Sequence, residues 1–425
     1  MMKRLLFIAI SLVPAFAQAE NLLEVYAQAR AADPVLAAAD AQRGIQQELA
    51  VQARAKLLPQ WNATASEYRL RPDDSHGSTL ASNISQTVFD LGQLRSLDVA
   101  KTLVRSQDSA LRAAEQDLRA RVAAAYFGVL SAQASLTTAE ANENAFAQQV
   151  EQAQSRFKSG LSASVDVEQA RAYSELARNA TVQSRQALLD AREALAEITG
   201  RAPGVLSPLV PDLPALPPLP TEPQAWVDRA LAGNPALAAQ SLQVEASGQA
   251  IGAARAAHLP TVSLGVDTTR NRGTGAFLPG DLRTNTQLGL TLTIPIFAGG
   301  ATQSQVRQAS LQRETQREQF EGARRALMRE VRGQYQAVLA GVAQMQSGRA
   351  AVEAAERAVK STRAGQELGT RTMTDLLLGI QTQAQASNAY EQARHRYVLA
   401  TLLLQQAAGS LGDAELAAVN SLLKE

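Results

Sequence analysis

The acidic residues with the most distinctive spacing lie in two segments that repeat one pattern, 209 positions apart along the chain. Gly160 precedes Asp166 by six positions, and Gly369 precedes Asp375 by six positions. Glycine permits the positive φ that ends a helix, and an acid in a first helical turn interacts favourably with the helix dipole. The pattern predicts a turn between two helices in each segment, with carboxylates that start helices. The segments are FKSGLSASVDV at 157–167 and ELGTRTMTDLL at 367–377.

Hydroxyl side chains beside these glycines can accept hydrogen bonds from the first backbone N–H groups of the next helix. Ser162 and Ser164 are the candidate caps in the first segment, and Thr370 and Thr372 are the candidates in the second. Thr372 and the acid three residues later also have the spacing of a capping box. These residues predict roles at helix ends rather than in catalysis.

Motifs for enzyme chemistry are absent from the sequence. His76, His258 and His395 are scattered without metal-ligand spacing, so we expect all three to be ordinary surface residues. The chain has 0 cysteines, which excludes disulfides, thiolate metal sites and a cysteine nucleophile. It also lacks a P-loop, a G-x-S-x-G motif and an H-E-x-x-H motif. We therefore predict that the protein is not an enzyme and holds no cofactor or metal.

The N-terminus has the features of a secretory signal peptide. Lys3 and Arg4 precede the apolar run LLFIAISLVPAFA, and the A-x-A sequence AQA follows at 17–19. The run is shorter than the roughly 20 apolar residues that a membrane-spanning helix needs. We expect cleavage after Ala19, which removes 1–19. The net charge then changes from +1 to −1, so the charge gives no reason to expect a nucleic-acid partner.

Short matches in the same order indicate that the chain is a tandem duplication. ADPVLA at 32–37 matches GNPALA at 233–238, Phe89 matches Phe297, and the two glycine segments follow. A proline-rich connector, which should be extended and fairly stiff, separates the copies. The expected organisation is a signal peptide at 1–19, a first structural repeat at 20–200, the connector at 201–223, a second repeat at 224–412 and a C-terminal tail at 413–425.

Each copy is predicted to contain a helix, a β-hairpin, a very long helix, a turn and a further helix. Residues 91–157 and 300–366 would each form a helix of about 100 Å at 1.5 Å per residue. A heptad from Leu118 to Phe157 is apolar at eleven of its twelve positions, which is typical of a coiled-coil seam. Small residues such as Gly341 in the second copy would let neighbouring helices approach closely. The predicted helices are 22–57, 91–157, 163–199, 224–257, 300–366 and 372–409.

Two runs of about ten residues, in which apolar and polar residues alternate, lie between the first two helices of each copy. Val262, Leu264 and Val266 alternate with Ser263 and Gly265 in the second copy. Such strands fit an outer-membrane barrel, and they also fit a soluble sheet that is buried on one face. The secretory signal and the small polar residues of the second face favour the membrane. The predicted hairpins are 60–90 and 261–297, with turn residues at 71–77 and 272–281.

The four predicted strands cannot close a barrel alone, because single-chain barrels start at about eight strands. Open sheet edges are not tolerated in lipid, so strands that span a membrane must be completed by other chains. Three chains would supply twelve strands, which is enough for a channel.

Nearly the whole mature chain resembles the TolC family of outer-membrane channel proteins. RFKSGLSASVDVEQAR at 156–171 and LGTRTMTDLL at 368–377 are similar to the two inter-helix tips of that family. ITG at 198–200 and SLGDAELAAVNSLL at 410–423 are similar to the ends of its two repeats. The resemblance implies a mainly α fold with β: a tandem-repeat protomer of long coiled-coil helices and two β-hairpins. Protomers would form a homotrimer, with a 12-stranded outer-membrane β-barrel continued by a periplasmic α-helical tunnel.

The resemblance also implies a function in export. Family members are exit ducts of tripartite efflux pumps or type I secretion systems in Gram-negative bacteria, and export small molecules or proteins across the periplasm and outer membrane. The implied partners are outer membrane lipid, a periplasmic adaptor (membrane fusion) protein and an inner-membrane ABC or proton-driven transporter. A secreted or periplasmic coiled-coil scaffold or adhesin is the alternative from another class.

The same resemblance implies site residues. Asp375 stands at an acidic ring of the periplasmic entrance, Arg371 at an arginine that tethers neighbouring coils in the closed state, and Asp166 at its matched acid. The family's second acid and a tyrosine are replaced here by Leu378 and Gln366, which predicts a weaker ring and a missing tether. The tip turns are expected to dock the adaptor. Their residues are Gly160, Leu161, Ser162, Gly369, Thr370 and Arg371.

Overall fold

The structure is a computed structural model that describes residues 19–71, 75–273 and 283–424. The expected signal peptide at 1–19 lies outside the described residues except for its last residue, and so do parts of both predicted hairpin turns. The chain forms two compact units, and each unit combines segments of both sequence repeats. Among the described residues, the first unit comprises 19–34, 116–226 and 331–424, and the second comprises 35–71, 75–115, 227–273 and 283–330.

The described residues form long helices and one sheet. In chain order the elements are α1 (Leu22–Ala32), α2 (Pro34–Ala55), β1 (Gln60–Leu70), β2 (Ser75–Phe89), α3 (Leu91–Lys158), α4 (Ser164–Thr199), α5 (Pro223–Gly233), α6 (Pro235–Ala256), β3 (Thr261–Gly273), β4 (Arg283–Thr293), α7 (Ala301–Glu367), α8 (Met373–Ala407) and α9 (Asp413–Asn420).

The helices predicted at 22–57 and 224–257 are each divided in two, so the prediction of continuous helices there is wrong. Pro34 begins α2 and Pro235 begins α6. Proline lacks an N–H group and clashes with the preceding turn, so it is favoured at the first position of a helix but not inside one. The side chain of Asn234 caps α6 by accepting a 3.0 Å hydrogen bond from a backbone N–H of its first turn.

Two further boundaries differ from the sequence prediction. β4 ends at Thr293, so the second hairpin is shorter than the predicted 261–297. Pro295 has no N–H group to donate to a strand ladder, which accounts for this end. The segment predicted as a C-terminal tail, 413–425, contains helix α9.

The second unit contains a four-stranded antiparallel sheet in the order β1-β2-β3-β4. Directly paired residues point to the same side of a sheet. One row of directly paired residues across the four strands is apolar and consists of Trp61, Ile84, Val266 and Leu288. The side of the sheet to which this row points is the apolar face. The adjoining row consists of Asn62, Asn83, Asp267 and Gln287. It points to the opposite side of the sheet, which is the polar face.

The coiled-coil seam predicted in α3 is buried over most of its length in the first unit. Leu118 and Ala153 are fully buried, whereas Phe157 at the end of the heptad is 48% exposed. In α7, a Cβ placed on Gly341 would lie 3.2 Å from the Cα of Tyr397 in α8. The small residue therefore permits the close approach of neighbouring helices that the sequence predicts.

Candidate functional site

The two turns between long helices have nearly the same backbone geometry. The φ angle is +71° at Gly160 and +74° at Gly369, which confirms the predicted positive values. After each glycine, the next N–H donates to a carbonyl five residues earlier, at 2.8 Å from Leu161 and 2.8 Å from Thr370. These bonds satisfy carbonyls at the ends of α3 and α7 in a Schellman motif. Glycine therefore ends both helices through its backbone freedom.

The second tip has the capping box that the sequence predicts. The Thr372 N–H donates to Asp375 Oδ2 at 3.0 Å, and the Asp375 N–H donates to Thr372 Oγ1 at 3.1 Å. The backbone hydrogen bond from Thr372 is the main cause that lowers the pKa of Asp375 from 3.8, and Arg371 contributes less. Asp375 is therefore ionised at neutral pH. Its side chain is exposed at the start of α8. The Thr370 hydroxyl does not cap α8, because it donates to the Gly365 carbonyl at 3.0 Å.

The first tip lacks a side-chain cap. Ala163 occupies the N-cap position of α4 with φ −83° and ψ 157°. The prediction that Ser162 and Ser164 cap this helix is wrong, because these residues flank the cap position. Asp166 lies half-buried in the first turn of α4, where a negative charge interacts favourably with the helix dipole. The 209-residue offset could have located this cap, because it aligns Ala163 with Thr372.

A hydrophobic cluster and one hydrogen bond join the two tips within a chain. Thr374 Oγ1 in α8 donates to Gln169 Oε1 in α4 at 2.8 Å. Sequence reasoning missed this pair, because the two residues are 205 positions apart. The cluster consists of Phe146, Ala153, Val167, Ala170, Ala177, Val359, Met373, Leu376, Leu377 and Ile380.

Arg371 packs against α7 at Gly365, a second residue that sequence reasoning missed. A Cβ placed on Gly365 would lie 2.7 Å from Arg371 Cγ and 3.1 Å from Thr370 Oγ1. A larger residue at 365 would therefore displace the arginine. Within one chain Arg371 lies near Asp375, and the described residues show no ion pair between it and Asp166.

The residues at the family's second acid and tyrosine positions differ in burial. Leu378 is 47% exposed and adds no charge. Gln366 is buried, and its Oε1 has no hydrogen-bond partner within the described part of the chain. The tip residues expected to dock the adaptor are exposed except for the half-buried Ser162: Gly160, Leu161, Gly369, Thr370 and Arg371.

The sheet leaves two edges unpaired and exposes its apolar face. Among the described strands, β1 pairs only with β2, and β4 pairs only with β3. Leu288, Leu290 and Leu292 of β4 are 71%, 69% and 58% exposed. Each edge presents backbone N–H and C=O groups that another strand can pair with. The sheet therefore has an exposed apolar surface and two edges with which further strands could pair.

His395 is buried, so the prediction that it is a surface residue is wrong. It is 6% exposed, and its ring centroid lies 6.2 Å from that of Phe127. Burial first, and the charge of Arg394 second, lower its pKa from 6.5 to about 4. The imidazole is therefore neutral at pH 7. His76 and His258 are exposed, as predicted.

The helices of the described ranges include none with the length and hydropathy to span a membrane. Over 19–71, 75–273 and 283–424, no cluster of three or more histidine and acidic side chains could hold a metal ion.

The described chain thus combines long helices with a sheet that is apolar on one face and unpaired at both edges. A family profile described as outer membrane efflux protein matches residues 25–201 and 226–411. The chain belongs to this family of Gram-negative outer-membrane channels, which extend into the periplasm. The family is one of channels, not of enzymes, and the scaffold or adhesin alternative is set aside.

Individual relatives match over nearly their full lengths. Outer membrane protein TolC of Vibrio cholerae is 33% identical over 413 residues, which is 96% of this chain and 94% of that protein. The proteases secretion protein PrtF of Dickeya chrysanthemi is 27% identical over 97% of this chain and 93% of its own. The crystal structure of the Campylobacter jejuni CmeC outer membrane channel has a TM-score of 0.82 at 17% identity, covering 95% of this chain and 90% of that chain. This last likeness supports the fold.

The capping geometry predicts different responses at the two tips. Thr372→Ala removes the side-chain cap of α8, which should cost about 1 kcal/mol and speed hydrogen exchange in its first turn about fivefold. Ala163→Ser should slow exchange at the start of α4 by a similar factor, because the backbone there already has N-cap geometry. Exchange is measured by mass spectrometry of the purified protein. Ser164→Ala is the matched control, and an equal response to it would contradict the assignment.

The burial of His395 predicts an acid-dependent loss of stability. Its folded pKa lies below its unfolded value, so protons bind the unfolded chain preferentially as pH falls from about 6.5 to 4. Between pH 7 and pH 5, the free energy of unfolding of the wild type should fall by about 2 kcal/mol per chain because of His395. The His395→Phe variant should not show this decrease. Thermal unfolding at several pH values checks this. His258→Gln, at an exposed site, should behave like the wild type, and parallel pH curves for all three proteins would refute the prediction.

Proposed function

We propose that three copies of this chain form one channel that is the exit duct of a tripartite efflux pump or a type I secretion system. The observation that carries the proposal is the four-stranded sheet with one apolar face and two unpaired edges. In lipid, each unpaired backbone N–H or C=O group costs several kcal/mol. Pairing with further copies satisfies both edges.

The strand directions allow this closure. β1 and β4 run in opposite directions, so β4 of one copy can pair antiparallel with β1 of the next. Two copies would give eight strands, whose interior is filled by side chains or holds one small ligand. Three copies give twelve strands, an even number within the range of bacterial outer-membrane barrels, and leave room for a duct.

The polar face supports a water-filled interior. Asn83 on β2 donates a side-chain hydrogen bond to Asp267 on β3. Polar residues on the inner face and apolar residues on the outer face are typical of membrane barrels that conduct. Further residues of the polar face are Asn62, Thr64, Thr269 and Gln287.

Energy for export must come from another protein, because the sequence contains no nucleotide-binding motif. We assign the tip turns around Leu161 and Thr370 to contact with a periplasmic adaptor, since they are exposed and their backbone is fixed. The adaptor would join the duct to an inner-membrane ABC or proton-driven transporter. The family description supports efflux, and the name of PrtF supports protein secretion. No catalytic step is assigned to the chain.

The charged residues of the tips are assigned to the periplasmic entrance. Asp375 is ionised and exposed, so three copies would form a ring of carboxylates that favours cations. Asp166, in the matching position of the other tip, is a candidate partner for Arg371 of a neighbouring coil. Gly365 leaves the space in which the Arg371 side chain packs against α7. This packing holds Arg371 in a defined position, as is expected of a residue that tethers neighbouring coils in the closed state.

Matched lysine substitutions on the two faces of β4 test the channel. Leu288→Lys puts a charge near the middle of the lipid-facing surface, at a cost of about 2–4 kcal/mol. The heat-modifiable trimer in the outer-membrane fraction should therefore fall severalfold. Gln287→Lys, on the polar face, should leave the trimer and its conductance in planar bilayers intact. A wild-type protein that is a soluble monomer without conductance would refute the proposed function, and equal tolerance of both lysines would refute the assigned faces.

The entrance assignment predicts that Arg371→Ala opens the channel. Three lost tethers of about 0.5 kcal/mol each would shift the closed–open equilibrium about tenfold, raising mean conductance in planar bilayers. Gly365→Val should have the same effect, because its side chain would occupy the space of the arginine. Arg363→Ala, which removes another exposed arginine from α7, is the control. Unchanged conductance in both tip variants would remove Arg371 from the gate.

A further inference from the structure

The apolar face of the sheet ends in a band of arginines. Arg69, Arg270 and Arg272 lie at the end of the sheet away from the helices, and this group is called the arginine band. Strand pairing places the band on the same face as Trp61 and Leu288. The successive rows toward the hairpin end are Ala65–Leu80–Arg270–Thr284, then Glu67–Ser78–Arg272, then Arg69–His76.

The band carries a net positive charge on its side of the sheet. All three arginines are exposed. Glu67 is the one acid on this face within the described strands, so the band and this acid together carry +2. β2 separates Glu67 from Arg272, which puts their backbones about 10 Å apart. Neither Arg270 nor Arg272 forms an ion pair with a carboxylate of the described residues.

A groove runs between the arginines and the apolar rows. It has a volume of about 540 Å³. Ala65 and Leu80 give it an apolar floor, Arg270 and Arg272 line it from β3, and Glu67 lines it from β1. The groove therefore offers an apolar surface and guanidinium groups to the same ligand.

The position of the band along the strands matches the edge of a membrane. Arg270 pairs with Thr284, eight residues along β4 from Leu292. Eight residues span about 26 Å of strand, or about 20 Å along the membrane normal at a tilt of about 40°. The apolar belt of an outer-membrane barrel is about 25 Å tall. The arginines thus lie near one boundary of the apolar belt, where a charge costs little.

We propose that the arginine band binds phosphorylated lipid headgroups of the outer leaflet. The proposal rests on the proposed function, in which the hairpin ends of the barrel face the cell exterior and the apolar face of the sheet contacts lipid. Guanidinium groups bind phosphate through paired, charge-assisted hydrogen bonds. The acyl chains of the same lipid would lie along the apolar rows beneath, beside Leu80 and Val266. The arginine band is less suited to binding soluble anionic cargo, because cargo passes along the polar face and the band lies on the apolar face.

Lipid binding to the purified, detergent-solubilised protein tests the proposal. The probe is diphosphoryl lipid A, and native mass spectrometry measures its binding to the wild type and to Arg270→Gln/Arg272→Gln. Each arginine near a membrane surface contributes about fivefold in affinity for anionic lipid, so the double variant should bind about thirtyfold more weakly. Arg307→Gln/Arg332→Gln is the matched control, because it removes the same charge from exposed positions of α7.

Two further probes separate the sources of binding. Lipid A without phosphate groups should bind wild type and double variant equally and weakly, and millimolar inorganic phosphate should not displace diphosphoryl lipid A. Equal binding of diphosphoryl lipid A by wild type and double variant would overturn the proposal. So would complete displacement by inorganic phosphate, which would indicate a site for the free ion. Normal trimers and conductance in the double variant would leave the proposed function standing whatever the lipid result.

Discussion

The backbone groups at the two edges of the sheet impose the constraint on which the rest of the structure depends. A strand in lipid has no water to satisfy its N–H and C=O groups, so β1 and β4 must find partners. Two hairpins give each chain four antiparallel strands, so its outer edges run in opposite directions and would match those of a second copy. The helices that enter and leave the sheet at one end follow the same repetition. The proposed assembly thus follows from one requirement of the backbone.

The tips show which part of a repeated motif is fixed and which part is free to differ. Gly160 and Gly369 have the same positive φ, and the hydrogen bond that follows each is 2.8 Å long. These features depend on the backbone and are the same in both copies. The cap depends on a side chain, and Thr372 supplies it where Ala163 does not. The start of α8 is therefore held more firmly than the start of α4, which makes the two tips unequal.

Several local patterns were predicted correctly from the sequence, but the caps expected from Ser162 and Ser164 and the continuous helices across Pro34 and Pro235 were not. The long helices, the strand alternation and the capping box at Thr372 depend on spacings of seven residues or fewer. Other missed features depend on contacts between residues that are distant in the sequence or on side chains that fold back onto a helix. His395 is buried because other helices cover it, and Gly365 matters because Arg371 folds back onto α7. The break at Pro34 is a local feature that the prediction missed, because proline suits the first position of a helix and is disfavoured in its interior.

Charge also fixes the register of the sheet. A slip of one residue between β2 and β3 would turn Arg270 and Arg272 toward the polar face and Asp267 toward lipid, where an unpaired charge is costly. The pairing does contain one shift, between Thr87 and Phe89, at the end nearest the helices. From Thr87 toward the hairpin the register is unbroken, so the bulge leaves the apolar rows and the arginines in place. The irregularity therefore lies where the strand leaves the sheet for α3, and the charge pattern resists a slip along the remaining length.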